Sequence, residues 1–346
     1  MNDIIKEQKE FSIDSVQEPE DIENVIYSLM VNPNLSSINY FNDFSDLAIS
    51  PESIGNIEKD ETGLLDVDGD GSSVAMSTHA LHNHLEIDPQ KATEILISRA
   101  ARKMCCLGAR PSGMSAFLYH IDFADPNGQY IASGAKKGLE NAADKFNLKI
   151  LNRKIRFDHF SGRDTVPPTI IISMVGLVDN KEKLTNHPFK KKGGNIFIIG
   201  RSVEDICSSE YLEFFHGINS SPLPAFNIDS EIKIQGALND LHKFDLIQSA
   251  SPVGKGGLFF TLLRAAIPSG LGFDITTDAE MRIDAFLFGE AMGRILVEVE
   301  SKKENEFVDF MTERNTPFFT LGHITKGEIR IDDRSLGYID KMTPAF

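Results

Sequence analysis

Residues 88–122 read DPQKATEILISRAARKMCCLGARPSGMSAFLYHID, and this stretch is the most informative about the fold of the chain. Asp88 suits an N-cap, Pro89 suits the first helical turn and Gly108 suits a helix end, so the pattern predicts one long helix between them. The apolar residues that follow predict a strand over residues 114–122. A helix followed at once by a strand indicates a domain in which helices pack on a sheet.

The alternation of helices and strands continues towards the C terminus. Further helices are predicted at residues 132–146, 209–216, 229–241, 257–266 and 303–314, and further strands at residues 148–157, 169–178, 195–200, 294–300, 318–324 and 328–332. A Lys-Lys-Lys-Gly-Gly turn at residues 190–194 interrupts the pattern. We therefore predict an α/β (α+β) fold with two domains, residues 62–190 and 191–346.

Residues 1–61 differ from the rest of the chain in charge. The chain has 346 residues, with 35 basic and 51 acidic side chains and a net charge of −16. Fourteen of the acids but only three lysines lie in residues 1–61, so this segment supplies −11 of the total. Residues 18–30 place apolar side chains at i, i+3, i+4 and i+7, which predicts an acidic N-terminal arm with one docked helix. Because of its net negative charge, the chain is not expected to bind duplex nucleic acid or anionic membranes.

Cysteines and apolar runs bear on the cellular compartment. Cys105 and Cys106 are neighbours, too close in sequence for an ordinary disulfide, and the chain has three cysteines in all. The first ten residues contain no apolar signal-peptide core, and the longest apolar run, residues 169–178, is far shorter than the roughly 20 residues of a membrane span. We expect reduced thiols, a cytoplasmic location and no membrane partner.

The sequence DVDGDG at residues 66–71 begins like a calcium-binding loop. The twelfth position of such a loop needs a bidentate acid, but Ser77 stands there, so a calcium site is not expected. An Asp-Gly hairpin turn that leads into a strand from Ser73 fits the sequence better. The acids of this turn, Asp70 among them, leave open a magnesium ion held beside a nucleotide.

The sequence HALHNHLE at residues 79–86 is the densest cluster of titratable groups in the chain. If the segment is extended, His82, His84 and Glu86 share one face, because the side chains of a strand alternate. Three interpretations stay open at this point. They are acid/base chemistry or substrate contact, a polar strand edge without chemistry, and a transition-metal site.

Glycines surround Lys255 just before a predicted helix. The sequence PVGKGGL at residues 252–258 places Gly256 and Gly257 at the N terminus of that helix, where backbone amides attract anions. The spacing is not that of a Walker P-loop. Two interpretations stay open, a phosphate site and a glycine-rich entry into the helix.

Five motifs, in their order along the chain, resemble those of the PurL proteins, the formylglycinamide ribonucleotide amidotransferases. The motifs are RAARKMCCLGARP (residues 99–111), VPPTIIISMVGLV (166–178), SEYL (209–212), GKGGL (254–258) and FLFGEAMGR (286–294). With the residues between and around them they extend over about residues 62–335. A shared order of five motifs is more specific than any single match.

The resemblance implies a fold, a function and an assembly. The fold is that of the PurM/PurL (AIR synthase-related) superfamily, with two α/β domains, the N-terminal ones pairing in a dimer through a shared β-barrel. The implied function is an ATP-dependent ligation in purine biosynthesis, in which an amide oxygen is phosphorylated and ammonia displaces it. PurL chains contain two such halves and this chain has the length of one, so a homodimer or a partner half is implied.

The resemblance also implies residues for the site. His82 takes the place of the family's catalytic acid/base, and Arg102 and Lys255 are expected to hold phosphates of ATP or of a phosphoribosyl substrate. The other candidates for binding substrate or nucleotide are His84, Asp70, Lys103, Gly256, Gly257 and Glu290.

Among the positions that depart from the family pattern, two concern metal binding. Ala80 stands where the family has a metal-binding glutamate, and Lys103 stands where it has an acid or amide that binds magnesium. An ammonium group replaces the charge of a divalent ion but not its coordination. ATP and Mg²⁺ are expected, but no residue is assigned as a metal ligand. The alternatives are a catalytically degenerate half that binds nucleotide or serves as a scaffold, and a metal-dependent activity at His82, His84 and Glu86.

Overall fold

The structure is a computed structural model that describes residues 11–35, 62–66, 73–82, 84–157, 166–180 and 183–342. These residues form two compact units. The described part of the first lies within residues 62–184 and 228–232, and that of the second within residues 11–35, 185–227 and 233–342. Residues 11–35, which the sequence places in a separate arm, therefore group with the second unit. No helix in the described ranges is long and apolar enough to span a membrane.

The N-terminal residues contribute one helix, α1 (Ile22–Met30), to the second unit. The Asp21 side chain caps this helix by accepting a hydrogen bond from the Glu23 backbone amide, so the helix begins later than residue 18. Val25 and Leu29 are fully buried in the core of the unit. The predicted docked helix is confirmed, and its apolar face is part of the hydrophobic core.

A five-stranded sheet forms the first unit. Its strands are β1 (Thr62–Asp66), β2 (Ser73–Leu81), β3 (Arg110–Ile121), β4 (Lys149–Phe157) and β5 (Thr169–Val178). They lie in the order β1-β2-β5-β3-β4, and all neighbours are antiparallel except β3 and β4. Since β1 and β2 are consecutive antiparallel neighbours, they form a hairpin, and the predicted Asp-Gly turn between them lies outside the described residues.

Two long helices, α2 (Pro89–Leu107) and α3 (Pro126–Phe146), pack on one face of this sheet. Helix α2 has the predicted caps, with Asp88 accepting from the Lys91 amide and Gly108 in the left-handed conformation. Helix α3 begins with a second Asp-Pro pair and is six residues longer than predicted. The two helices approach closely at Gly138, where a Cβ atom would lie 2.4 Å from the Gln90 carbonyl oxygen.

The opposite face of the first sheet is open and partly apolar. Leu65, Met76 and Leu177 on this face are 44 to 51% exposed. In β5 the residues that point to the helices are buried, while their neighbours on the open face are not. The single chain thus has an open sheet. A barrel shared with a second copy stays a prediction.

A seven-stranded sheet forms the centre of the second unit. Its strands are β6 (Asn195–Ile199), β7 (Ser249–Pro252), β8 (Gly272–Ile275), β9 (Ile295–Val299), β10 (Phe318–Thr325), β11 (Glu328–Ile331) and β12 (Arg334–Tyr338), in the order β12-β11-β8-β10-β6-β9-β7. Besides α1, its helices are α4 (Ile228–Lys243), α5 (Gly257–Ala266), α6 (Ile283–Phe288), α7 (Glu304–Glu313) and α8 (Ile339–Met342), with a π-helix at Tyr211–Phe215. The first five residues of α4 group with the first unit. The predicted two-domain α/β architecture is confirmed.

Candidate functional site

The glycine loop, residues 253–256, joins β7 to α5 in the second unit. Gly256 and Gly257 have φ values of +78° and +72°, a region that side chains with a Cβ avoid. A Cβ atom on Gly257 would lie 2.6 Å from the Leu287 carbonyl oxygen, so the close approach of α6 also requires glycine. The predicted glycine loop before a helix is confirmed, with α5 beginning at Gly257 as expected, whereas the strand β7 before the loop was not predicted.

The Glu290 carboxylate binds the glycine loop from within the chain. Its Oε1 atom accepts hydrogen bonds from the backbone amides of Gly256 and Glu210, both at 2.9 Å. Glu290 is only 4% exposed. The Gly256 amide, a predicted donor to a phosphate, thus already binds an anionic group of the protein itself.

Glu210 connects the glycine loop to the N-terminal residues. Its Oε2 atom accepts hydrogen bonds from the side-chain amides of Asn32 at 2.9 Å and Asn34 at 3.1 Å. Its Oε1 atom lies 3.2 Å from the Lys255 ammonium group. The Lys255 side chain is 55% exposed, against 10% for Glu210, so one end of this ion pair faces solvent.

The surroundings of Glu210 decide its ionisation. Burial raises the pKa of its carboxyl, but the hydrogen bonds from Asn34 and Asn32 and the charge of Lys255 together lower that pKa below its usual value. Burial and the nearby charges of Glu210 and Glu290 raise the pKa of Glu213. Of these two acids, Glu210 therefore keeps its negative charge to a lower pH than Glu213.

We expect Glu210 to make the stability of the chain depend on pH. Because its pKa is lowered in the fold, ionised Glu210 stabilises the chain above the ordinary glutamate pKa of about 4.3, and this contribution is lost as the pH falls through the folded pKa. Glu210→Gln should lower the free energy of unfolding by about 1 to 3 kcal/mol at pH 7 and by less near pH 4.

Urea denaturation of both proteins at a series of pH values measures this difference. Glu213 titrates in the opposite sense, and Glu210→Gln also removes a charge that raises the pKa of Glu213, so the difference between the two proteins measures the Glu210 carboxylate together with its coupling to Glu213. Glu306→Gln, at an exposed residue of α7, is the control and should have no pH-dependent effect. If Glu210→Gln lowered the free energy of unfolding equally at pH 7 and pH 4, the lowered pKa of Glu210 would be contradicted.

The histidine cluster lies in the first unit and is not one extended face. Strand β2 ends at Leu81, and residues 84–87 form a turn in which the His84 carbonyl accepts from the Ile87 amide at 3.2 Å. The prediction that His82, His84 and Glu86 share one face of a strand is therefore wrong, because the chain must turn here to reach the N-cap of α2. His82 is exposed, while His84 is 7% exposed.

A metal-dependent activity at these residues has no support in the described parts of the chain. Within those ranges, no group of three or more His, Cys, Asp or Glu side chains is arranged to hold a metal ion. Asp70 and the acidic turn around it lie outside the described residues.

Arg102 forms a buried ion pair in the first unit. Its Nη1 atom lies 2.8 Å from Oε1 of Glu231, and both side chains are only 1% exposed. This burial argues against the phosphate contact predicted for Arg102. Lys103, the next residue on α2, is half-buried.

The structure brings together some of the candidates and adds three that sequence reasoning missed. Lys255, Gly256, Gly257 and Glu290 meet in the second unit, whereas His82, His84, Arg102 and Lys103 belong to the first. The missed residues are Asn32, Asn34 and Glu210. Glu210 lies inside the SEYL motif. The Asn-Pro-Asn sequence that follows α1 is a typical turn signal, but the acidity of the arm favoured a solvated segment without contacts to the site.

Two family models match the chain in sequence order. AIR synthase related protein, N-terminal domain, matches residues 59–178, and AIR synthase related protein, C-terminal domain, matches residues 189–333. Together they cover about three quarters of the chain.

Curated relatives match this chain over part of their own, longer chains. The PurL subunit of phosphoribosylformylglycinamidine synthase from Alkaliphilus metalliredigens is 25% identical over 94% of this chain and 44% of the relative. That from Leuconostoc mesenteroides is 26% identical over 85% of this chain and 39% of the relative. The chain thus spans less than half the length of these relatives.

Solved structures show the same fold. Thermotoga maritima PurL complexed with ATP has a TM-score of 0.74 at 12% identity and covers 93% of this chain, which corresponds to 52% of the PurL chain. A protein from Thermus thermophilus has a TM-score of 0.64 at 14% identity, with 88% of this chain and 98% of that one covered. With both domain models matched in order, the chain belongs to the AIR synthase related family and has the PurM/PurL fold.

Proposed function

We propose that this chain is a PurL-like, ATP-dependent ligase of purine biosynthesis that converts an amide into an amidine. The observation that carries the proposal is the similarity to PurL subunits over 94% of the chain, across both AIR synthase related domains. The solved T. maritima PurL structures include complexes with ATP and with FGAR, which supports the same two ligands here.

The proposed reaction has two steps. The amide oxygen of the substrate attacks the γ-phosphorus of ATP, and ADP leaves. Ammonia then attacks the activated carbon, and phosphate leaves with the former amide oxygen, so that ATP, amide and ammonia give ADP, phosphate and amidine. His82, exposed at the end of β2, is the proposed acid/base that transfers a proton in the second step.

The residues of the second unit fit a phosphate contact at Lys255. The half-exposed ammonium group of Lys255 lies beside Gly254, where a Cβ atom would have no neighbour nearer than 4.0 Å. Lys103 and His84 are further proposed contacts of the nucleotide or substrate. Mg²⁺ commonly needs only one or two carboxylates besides the phosphates, and we assign none of them here.

An alternative is favoured by one specific observation. The Gly256 amide and the Lys255 ammonium group already bind Glu290 and Glu210 of the same chain. A glycine loop whose donors already bind carboxylates of the same chain is also compatible with a catalytically degenerate half that binds nucleotide or acts as a scaffold. The departures from the family pattern at Ala80 and Lys103 favour the same alternative.

The open face of the first sheet supports a proposed partner. Leu65, Met76 and Leu177 leave a contiguous set of strands with exposed apolar side chains, which is typical of a protein–protein interface. A second copy of this chain would pair the two faces, and a separate PurL half would do the same.

Calorimetric titration with MgATP tests the proposed nucleotide site. Wild type should bind MgATP, and Lys255→Ala should weaken binding about tenfold or more, because a phosphate loses a charged contact. Lys302→Ala is the matched control, since the Lys302 side chain is 75% exposed and pairs with Glu300 at 2.7 Å. Equal affinities of Lys255→Ala and the control would remove Lys255 from the site.

A further inference from the structure

The N-terminal residues lie outside both family models but reach the glycine loop. The models begin at residue 59, whereas Asn32 and Asn34 come from residues 11–35 of the second unit. Leu35 packs directly on the loop, since a Cβ atom on Gly256 would lie 2.9 Å from its Cδ2 atom. A segment that the family models do not include therefore contacts the glycine loop that carries Lys255.

The Asn-Pro-Asn turn, residues 32–34, presents two amide donors side by side. The Asn32 Oδ1 atom accepts from the Asn34 backbone amide at 2.9 Å, which fixes the turn. Both Nδ2 groups then point at the same atom, Oε2 of Glu210. Because amide Nδ2 groups only donate, this arrangement favours the ionised carboxylate.

The two oxygens of Glu210 have different partners. Oε2 binds the Asn-Pro-Asn turn, and Oε1 binds the Lys255 ammonium group. The Glu210 backbone amide donates to Glu290, which also holds the Gly256 amide. Glu210 is therefore fixed at its backbone and at one oxygen, and the other oxygen is oriented towards Lys255.

We propose that Asn32 and Asn34 are positioning residues that act through Glu210 to hold the Lys255 ammonium group at the glycine loop. The charged groups that face Glu210 are Lys255, Glu213 and Glu290. The phosphate role of Lys255 rests on the proposed function, but its positioning by Asn32 and Asn34 does not.

The rate at which an N-hydroxysuccinimide ester acylates Lys255 tests the proposal. The ester reacts with an amine that is free to leave its ion pair, and the Glu210 carboxylate, held 3.2 Å from the Lys255 nitrogen, keeps this group in place. We expect Asn34→Ala to raise the acylation rate of Lys255 about threefold to tenfold, measured by peptide mass spectrometry. Lys302 in the same digest is the internal reference, and Asn34 is exposed, so its truncation should not unfold the chain.

A double-mutant cycle separates positioning from a general loss of structure. Glu210→Gln should raise the rate at least as much, and adding Asn34→Ala to it should change nothing further. Asn305→Ala, the same substitution at an exposed residue of α7, should leave the rate unchanged. The proposal is overturned if Asn34→Ala matches wild type, or if it raises the rate equally in the Glu210→Gln background.

Calorimetry with ADP distinguishes a failure of this proposal from a failure of the proposed function. If both hold, Asn34→Ala weakens ADP binding about threefold to tenfold and Asn305→Ala does not. If wild type does not bind ADP, a contact of Lys255 with the α- or β-phosphate of the nucleotide is wrong, and the acylation rates alone decide the positioning proposal.

Discussion

Glu231→Ala should lower the free energy of unfolding by about 3 to 5 kcal/mol. The Glu231 carboxylate lies 2.8 Å from the Arg102 guanidinium, and each side chain is 1% exposed. Removing the carboxylate leaves a positive charge in the protein interior without this counter-charge, and such a charge is costly because water cannot solvate it.

Chemical denaturation of wild type and Glu231→Ala measures the effect. Asp229→Ala is a matched control on the same helix, because Asp229 pairs with Lys145 at 2.6 Å in a setting where the side chains are 70% and 43% exposed. The control should cost no more than about 1 kcal/mol, as exposed ion pairs do. A cost below about 1 kcal/mol for Glu231→Ala would show that the pair does not stabilise this unit.

Gly257→Ala should lower the free energy of unfolding by about 3 to 5 kcal/mol, because it combines an unfavourable left-handed backbone with a steric clash. The φ of Gly257 is +72°, and its Cβ position lies 2.6 Å from backbone atoms of Leu287 and Phe288. These are main-chain atoms of α6 and cannot move aside as a flexible side chain can. The first turn of α5 and the glycine loop should therefore shift together.

Gly270→Ala is the control that separates the two contributions. Gly270 has a φ of +62°, but a Cβ atom there would meet nothing within 4 Å. Gly270→Ala should lower the free energy of unfolding by only about 1 to 2 kcal/mol, because only its backbone conformation is unfavourable. Equal costs for the two variants in urea denaturation would mean that close packing at Gly257 contributes nothing.

Local signals in the sequence predicted most of the long elements. Asp88, Pro89 and Gly108 give the ends of α2 because capping depends on neighbouring residues only, and α5 begins and ends where the apolar run does. Short strands such as β7 and β8, with four residues each, were not predicted, since four residues carry too little periodicity.

The contacts of the site depend on residues far apart in sequence. The family resemblance placed Arg102 at a phosphate. No local pattern could reveal its ion pair with Glu231, which lies 129 residues away in sequence. Asn32 reaches Glu210 across 178 residues. The sequence did not predict this contact, because the acidity of residues 1–61 favours a solvated arm. In the structure, the apolar face of α1 belongs to the core.

Release of ADP is the measurement that tests the proposed ligase most directly. The purified chain is incubated with MgATP, formylglycinamide ribonucleotide and ammonia, and each component is omitted in turn. We predict ADP formation that requires both the ribonucleotide and ammonia, and a decrease of at least about 100-fold in His82→Ala. Binding of MgATP without ADP release above background would contradict the ligase and favour a degenerate, nucleotide-binding half.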